Sequence, residues 1–93
     1  MDDFEEGKNQ FLQILKQIDP DVQAVIPVTP SNGHFLISLT RKSARKFMMV
    51  GEDDILDLPA DHTIRNEVEE QIKETVQSMR DQYLLWRNDG KNI

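Results

Sequence analysis

The sequence predicts an α+β fold in which a helix, a three-stranded antiparallel meander and a long C-terminal helix follow one another, with both helices on one face of the sheet. Apolar residues recur with helical period near the N-terminus and again over residues 61–87, and they alternate in the segment between. Consecutive antiparallel strands form a meander, and one shared sheet face can cover the stripes of both helices. The 93 residues are enough for one domain, which we expect over residues 1–93.

The first predicted helix covers residues 3–18. Its apolar stripe consists of Phe4, Phe11, Leu15 and Ile18. Gly7 weakens the first turns by about 1 kcal/mol relative to alanine. Pro20 ends the helix, because proline disfavours the helical conformation in the residue before it.

The first two predicted strands flank a turn. The alternation over residues 22–28 places Val22, Ala24, Ile26 and Val28 on one face. Pro27 lacks an N–H group, so this should be an edge strand. Residues 29–33 are rich in turn formers, with Asn32-Gly33 the strongest pair. The second strand covers residues 34–40 and has Phe35, Ile37 and Leu39 on one side.

Residues 41–50 allow two interpretations. In the first, residues 41–44 form a tight loop and residues 45–50 a third strand, with Leu39 opposite Lys46, Ile37 opposite Met48 and Phe35 opposite Val50. In the second, a short helix starts at Thr40 and Gly51 closes it. We favour the strand, because the two arms match in length and residues 47–50 are an apolar run without a helical stripe.

The long helix is the clearest signal in the chain. Its stripe consists of Ile64, Val68, Ile72, Val76, Met79 and Tyr83. We expect it over residues 62–87, with Asp61 or Thr63 as its cap and with a frayed tail over residues 88–93. Before it, residues 51–60 should form an irregular or single-turn connector, which Ile55, Leu56 and Leu58 attach to the core.

The predicted element order resembles that of the double-stranded-RNA-binding fold. The resemblance spans the predicted elements and includes no shared motif. That family places a lysine-rich cluster at the start of its last helix. Here the corresponding segment is Asp61-His62-Thr63-Ile64-Arg65, which begins with an acid. The resemblance therefore implies the topology, and the RNA contacts of the family do not carry over.

Charge and composition exclude several classes of function. The net charge of −6 and the pI of about 4.7 oppose non-specific binding to nucleic acid or to anionic lipid. The lack of cysteine removes disulfides, thiol nucleophiles and cysteine metal sites, and it fits a reducing compartment. Residues 1–6 are acidic and lack the apolar stretch of a secretory signal, and no apolar run is long enough for a membrane span. We expect a cytoplasmic protein.

The candidate catalytic and metal-binding residues form no recognisable constellation. The acidic run comprises Glu52, Asp53, Asp54, Asp57 and Asp61, followed by His62. It lacks the spacing of an EF-hand, so we expect no metal. His34 and His62 belong to no nucleophile motif, and there is no glycine-rich phosphate loop. We therefore expect no enzymatic activity and no cofactor.

The second face of the predicted sheet favours association with a protein. Leu36, Phe47 and Met49 point away from the helices in the strand interpretation, whereas a sheet face in water is ordinarily polar. Leu85 and Trp86 extend the apolar surface. We expect these five residues to bind a partner, either as a homodimer or in a monomer that keeps the surface for another protein. We favour the homodimer, because twofold self-association is the commonest assembly of soluble proteins. The function would be that of an adaptor, a chaperone-like factor or an inhibitor, which would use this apolar sheet face and the acidic surface of the chain.

The alternative function is nucleic-acid binding at the hairpin tip. The four basic residues in this segment are Arg41, Lys42, Arg45 and Lys46. They could contact phosphates, or they could be an exposed hairpin end whose charges discourage edge-to-edge pairing. No aromatic residue interleaves them, which weakens an interpretation as a single-strand binder.

Overall fold

The computed structural model describes the backbone of residues 4–91 and the side chains of residues 4–81. It has the predicted α+β architecture, with a helix, a three-stranded antiparallel sheet and a long C-terminal helix. In chain order the elements are α1 (Glu5–Ile18), β1 (Gln23–Val25), β2 (His34–Arg41), β3 (Ala44–Gly51), α2 (Glu52–Asp57) and α3 (His62–Lys91).

The β2–β3 hairpin has the register that the sequence predicts. Phe35 pairs with Val50, Ile37 with Met48 and Leu39 with Lys46. The chain reverses at Lys42 and Ser43, and Lys42 has a positive φ of 54°. The strand interpretation of residues 41–50 is therefore confirmed, and the short-helix alternative is wrong. The match of apolar residues across the two arms fixes this register, since a slip by one residue would turn the apolar sides to opposite faces.

The first strand is shorter than predicted. β1 lies at an edge of the sheet as expected, but it contains only Gln23–Val25. The placement of Val28 on the inner face is wrong, because the strand ends before Pro27 and Val28 is 80% exposed. The Nζ atom of Lys8 donates to the Val28 carbonyl at 3.0 Å, which ties this segment to α1. The predicted turn is confirmed: Asn32 and Gly33 both have positive φ, at 52° and 78°.

The two long helices, α1 and α3, cover the same face of the sheet. The buried side chains of the sheet are Phe35, Ile37, Leu39, Ala44, Met48 and Val50, and those of α1 are Phe11, Ile14 and Leu15. Val22, which directly precedes β1, is also buried in this core. In α3, Val68, Ile72, Val76 and Met79 are at most 2% exposed, as the helical stripe predicts. One core therefore forms between the sheet and the helices, and the opposite sheet face stays outside it.

The connector after β3 contains a short helix. Ile55 and Leu58 are fully buried, but Leu56 is 42% exposed, so two of the three predicted anchors reach the core. α2 packs against α1 so closely that the Ile55 carbonyl occupies the space where a Cβ atom of Gly7 would lie. Glycine at this position is thus required by the approach of two backbones.

The N-terminus of α3 is capped as the sequence predicts. The Oδ1 atom of Asp61 accepts hydrogen bonds from the backbone N–H groups of Thr63 and Ile64, at 2.9 and 3.3 Å. The helix continues to Lys91, beyond the predicted end at residue 87. The side chains of residues 88–93 are not among those described. The fraying of this segment therefore stays a prediction.

Candidate interaction surface

The sheet has an outer face that no helix of the described fold covers. The outward-facing strand residues are Gln23, Val25, His34, Leu36, Ser38, Thr40, Arg45, Phe47, Met49 and Gly51. This assignment follows from the alternation of the strands, because their neighbours Phe35, Ile37, Met48 and Val50 are buried. The outer face is therefore continuous across all three strands.

Four large apolar side chains lie together on this face. The register aligns Val25, Ser38 and Phe47 across the three strands, and it aligns Leu36 with Met49 in the next row. The exposed fractions are 69% for Val25, 52% for Leu36, 58% for Phe47 and 54% for Met49. We call these four residues the outer apolar patch.

The sequence prediction for this surface has a mixed outcome. The structure brings Leu36, Phe47 and Met49 together on one face, and their role in binding stays a prediction. Val25 was missed, although the alternation that assigns Ala24 to the inner face also assigns Val25 to the outer one. Leu85 and Trp86 lie outside the residues whose side chains are described.

The strands contribute no negatively charged side chain to the outer face. None of its strand residues is acidic, although Asp and Glu account for 17 of the 93 residues. Arg45 is its one permanently charged strand residue. The acidic residues described in the fold lie on other elements, such as the first turn of α2 with Glu52, Asp53 and Asp54. The outer face is thus apolar and weakly basic in a chain of strongly negative charge.

The basic residues of the hairpin tip do not form one surface. Arg45 points to the outer face, whereas Arg41 and Lys46 alternate to the helix side and Lys42 lies in the turn. The Nε atom of Arg41 lies 3.3 Å from the Oδ2 atom of Asp19. The strand alternation therefore separates the four charges that are adjacent in the sequence.

Asp19 is the most deeply buried charged group in the described part of the chain. Its side chain is 4% exposed, and its carboxylate accepts hydrogen bonds from Arg80 at 2.9 Å and from the backbone N–H of Asp21 at 3.0 Å. Burial alone would raise the pKa of Asp19. The hydrogen bonds and the charges of Arg80 and Arg41 outweigh burial and lower the pKa below its usual value. Asp19 thus links the end of α1 to β2 and α3.

The described side chains form no cluster of metal ligands. Within residues 4–81, no three His, Asp or Glu side chains converge as ligands of an ion. His34 makes a local contact in its turn, with its Nδ1 atom 3.0 Å from the Asn32 carbonyl. No helix in the described part of the chain is long and apolar enough to cross a membrane.

Comparisons with known proteins assign no family to the chain. No protein-family model, curated protein or solved structure matches it. A functional proposal therefore rests on the geometry and charge of the described surfaces.

Proposed function

We propose that this protein is a non-enzymatic, cytoplasmic protein–protein interaction module, and that its outer apolar patch binds a second copy of the chain. The observation that supports this is the exposure of four large apolar side chains on one sheet face, each by more than half. An antiparallel sheet face in water is ordinarily polar, and contiguous apolar surfaces mark sites of association. An adaptor, a chaperone-like factor or an inhibitor would use such a face in the same way.

The charge distribution favours a second copy as the occupant. Two chains of net charge −6 repel each other over most of their surface. The outer face is free of acidic strand residues, so two copies that stack there keep their acidic elements away from the contact. Twofold self-association is the commonest assembly of soluble proteins, and two stacked sheets interdigitate their side chains.

The size of the face indicates a weak dimer. β2 and β3 each contain eight residues. At about 3.3 Å per residue and about 4.8 Å between strands, these two strands and the three-residue β1 cover a footprint of roughly 300 Å². Two such footprints total roughly 600 Å², below the approximately 1,200–2,000 Å² that stable complexes bury. We therefore expect a dissociation constant on the order of 0.1 mM, a free energy of about −5.5 kcal/mol.

Sedimentation equilibrium over a concentration series tests this proposal with a matched pair of variants. Leu36→Glu places a charge in the outer apolar patch, whereas Leu56→Glu makes the same change on α2, away from the patch. The two leucines are similarly exposed, at 52% and 42%. We expect wild type and Leu56→Glu to associate at submillimolar concentrations and Leu36→Glu to stay monomeric.

Phe47→Glu should behave like Leu36→Glu, because both side chains belong to the patch. Thermal melts of all variants check that each one still folds. A wild-type protein that remains monomeric at millimolar concentration, or a Leu36→Glu variant that associates like wild type, would contradict the proposal.

Nucleic-acid binding at the hairpin tip has less support as an alternative. Arg41 is paired with Asp19, and the strand alternation directs Arg45 and Lys46 to opposite faces. Non-specific affinity depends on several cations that contact phosphates together. Titration with duplex and single-stranded DNA and RNA at physiological salt distinguishes the alternatives. Submicromolar binding that is lost when all four basic residues are replaced by alanine would favour this second function.

A further inference from the structure

β3 leaves part of its backbone unpaired at the edge of the sheet. In the strand order β1-β2-β3, β3 has a neighbour on one side only. Arg41 and Ala44 flank the two-residue turn as a hydrogen-bonded pair, and such pairs recur at every second residue of an antiparallel ladder. Arg45, Phe47 and Met49 therefore direct their N–H and C=O groups away from β2.

One side chain of α3 limits the length of this open edge. The Nε2 atom of Gln71 donates to the Met49 carbonyl at 2.8 Å, as expected for a carbonyl that points outward. In the described part of the chain, no hydrogen bond reaches the outward N–H and C=O groups of Arg45 and Phe47. The open edge thus offers two donors and two acceptors at the spacing of a β-ladder.

The opposite edge of the sheet, formed by β1, is less suited to pairing with a further strand. β1 has only three residues, and Pro27 follows soon after it. Proline cannot donate a backbone hydrogen bond, and short edge strands with proline resist further pairing. A fourth strand would therefore add at β3.

Charge argues against a second copy at this edge. An antiparallel β3–β3′ pair centred on Arg45 places two arginines opposite each other, and one centred on Lys46 does the same with two lysines. Like charges directly opposite destabilise a strand pair. Registers centred on Phe47 or beyond need the Met49 carbonyl, which Gln71 already occupies.

We propose that the β3 edge binds an extended acidic segment of a partner protein, which adds a fourth strand antiparallel to β3. The register sets the sequence that fits: an apolar residue opposite Phe47, followed by acidic residues opposite Lys46 and Arg45. Backbone hydrogen bonds to Arg45 and Phe47 supply affinity, and the side chains supply selectivity.

The side chains of the outer face suit this segment, since none of the strand residues there is acidic. The apolar residue would lie beside Phe47 on the outer face, and the last acidic residue beside Arg45. The first acidic side chain of the segment, which is opposite Lys46, would lie on the helix side of the sheet. There, the uncharged Thr75 and Ser78 follow Gln71 along the same helix face at spacings of four and seven residues. The acidic Glu67 and Glu74 also neighbour Gln71, four residues before it and three after it, so the attraction at this position depends on Lys46.

The test uses two short synthetic peptides, one with a central Val-Glu-Glu and one with a central Val-Lys-Lys. Binding is followed by NMR titration of the full chain, and amide hydrogen exchange is measured with and without peptide. We expect the Val-Glu-Glu peptide to bind and to slow exchange at the amides of Arg45 and Phe47. Arg45→Glu/Lys46→Glu should weaken this binding about tenfold and should favour the Val-Lys-Lys peptide, because opposite charges attract across a strand pair.

Two controls separate this site from general charge and from the outer apolar patch. Lys16→Glu/Lys73→Glu changes the net charge equally at exposed lysines on α1 and α3, and it should leave peptide affinity within about twofold. Leu36→Glu should also bind the peptide normally, since the inference does not depend on self-association. The inference is overturned if neither peptide binds at millimolar concentration, if both bind equally, or if the two amides stay unprotected. It is also overturned if raising the protein concentration alone protects those amides, because a second copy would then occupy the edge.

Discussion

Replacing Gly7 with alanine should destabilise the protein, although helix propensity predicts the opposite. Gly7 lies in the first turn of α1, where alanine is favoured by about 1 kcal/mol. A Cβ atom at this position would overlap the Ile55 carbonyl oxygen, and it would lie 2.8 Å from the Ile55 carbonyl carbon and 2.9 Å from its Cγ2. The two effects have opposite signs, so one variant distinguishes them.

The expected loss of stability depends on which of the overlapping atoms can move apart. The two closest atoms belong to the backbone of α2, so no side-chain rotation relieves the overlap. α1 and α2 must separate by roughly 1.5 Å to restore ordinary van der Waals contact. Overpacking of this kind costs about 3 kcal/mol. Subtracting the gain in propensity leaves a net loss of about 2 kcal/mol, or roughly 8–16 °C in Tm for a domain of this size.

Urea denaturation followed by far-ultraviolet circular dichroism measures this loss. Gly51→Ala is the control, because a Cβ atom there would come no closer than 3.6 Å to any neighbour. Gly51→Ala should lower the free energy of unfolding by less than about 1 kcal/mol, which is the usual cost of replacing an N-cap residue with alanine. A Gly7→Ala variant as stable as wild type, or more stable, would show that α2 does not pack this closely against α1.

Three further changes test other parts of the fold. Val68→Asp places an unpaired charge in the core and should cost several kcal/mol in urea denaturation; a wild-type melting curve would contradict the core assignment. Asp19→Asn removes the charged acceptor of Arg80 and should cost about 2 kcal/mol at pH 7. Because the folded-state pKa of Asp19 is lowered, its contribution exists above the usual aspartate pKa and disappears as the pH falls through the folded value. The stability difference from wild type should therefore shrink below about pH 4, and a constant difference would rule out this linkage. Asp61→Ala removes the cap that accepts from Thr63 and should cost about 1 kcal/mol, measured against the surface change Glu70→Ala.

The sequence was sufficient for the features that depend on local periodicity. Val68 and Ile72 share a helix face by spacing alone, and they are buried. Phe35 and Val50 could be paired because the turn between the strands is short and both arms have an apolar side. These inferences need no knowledge of how distant elements meet.

The features that the sequence missed depend on contacts between distant elements. Gly7 looked like a weak point in α1, and only the position of Ile55 shows why glycine is required there. Asp19 looked like the end of a helix, whereas its partner Arg80 lies 61 residues away. No spacing rule relates residues at such separations, so their pairing emerged only from the fold.

The two proposals meet at β3 and can still be separated, because side chains and backbone point in different directions. Phe47 contributes its side chain to the outer face, and its backbone N–H and C=O groups to the edge. An open edge beside an apolar patch invites aggregation, which natural sheets limit with charged residues. Arg45 and Lys46 fit this role, since Arg45 opposes its own copy in one self-paired register and Lys46 does so in the other. The charges that keep a second copy away are also the ones that an acidic segment would neutralise, so protection of the edge and selection of a partner follow from the same two residues.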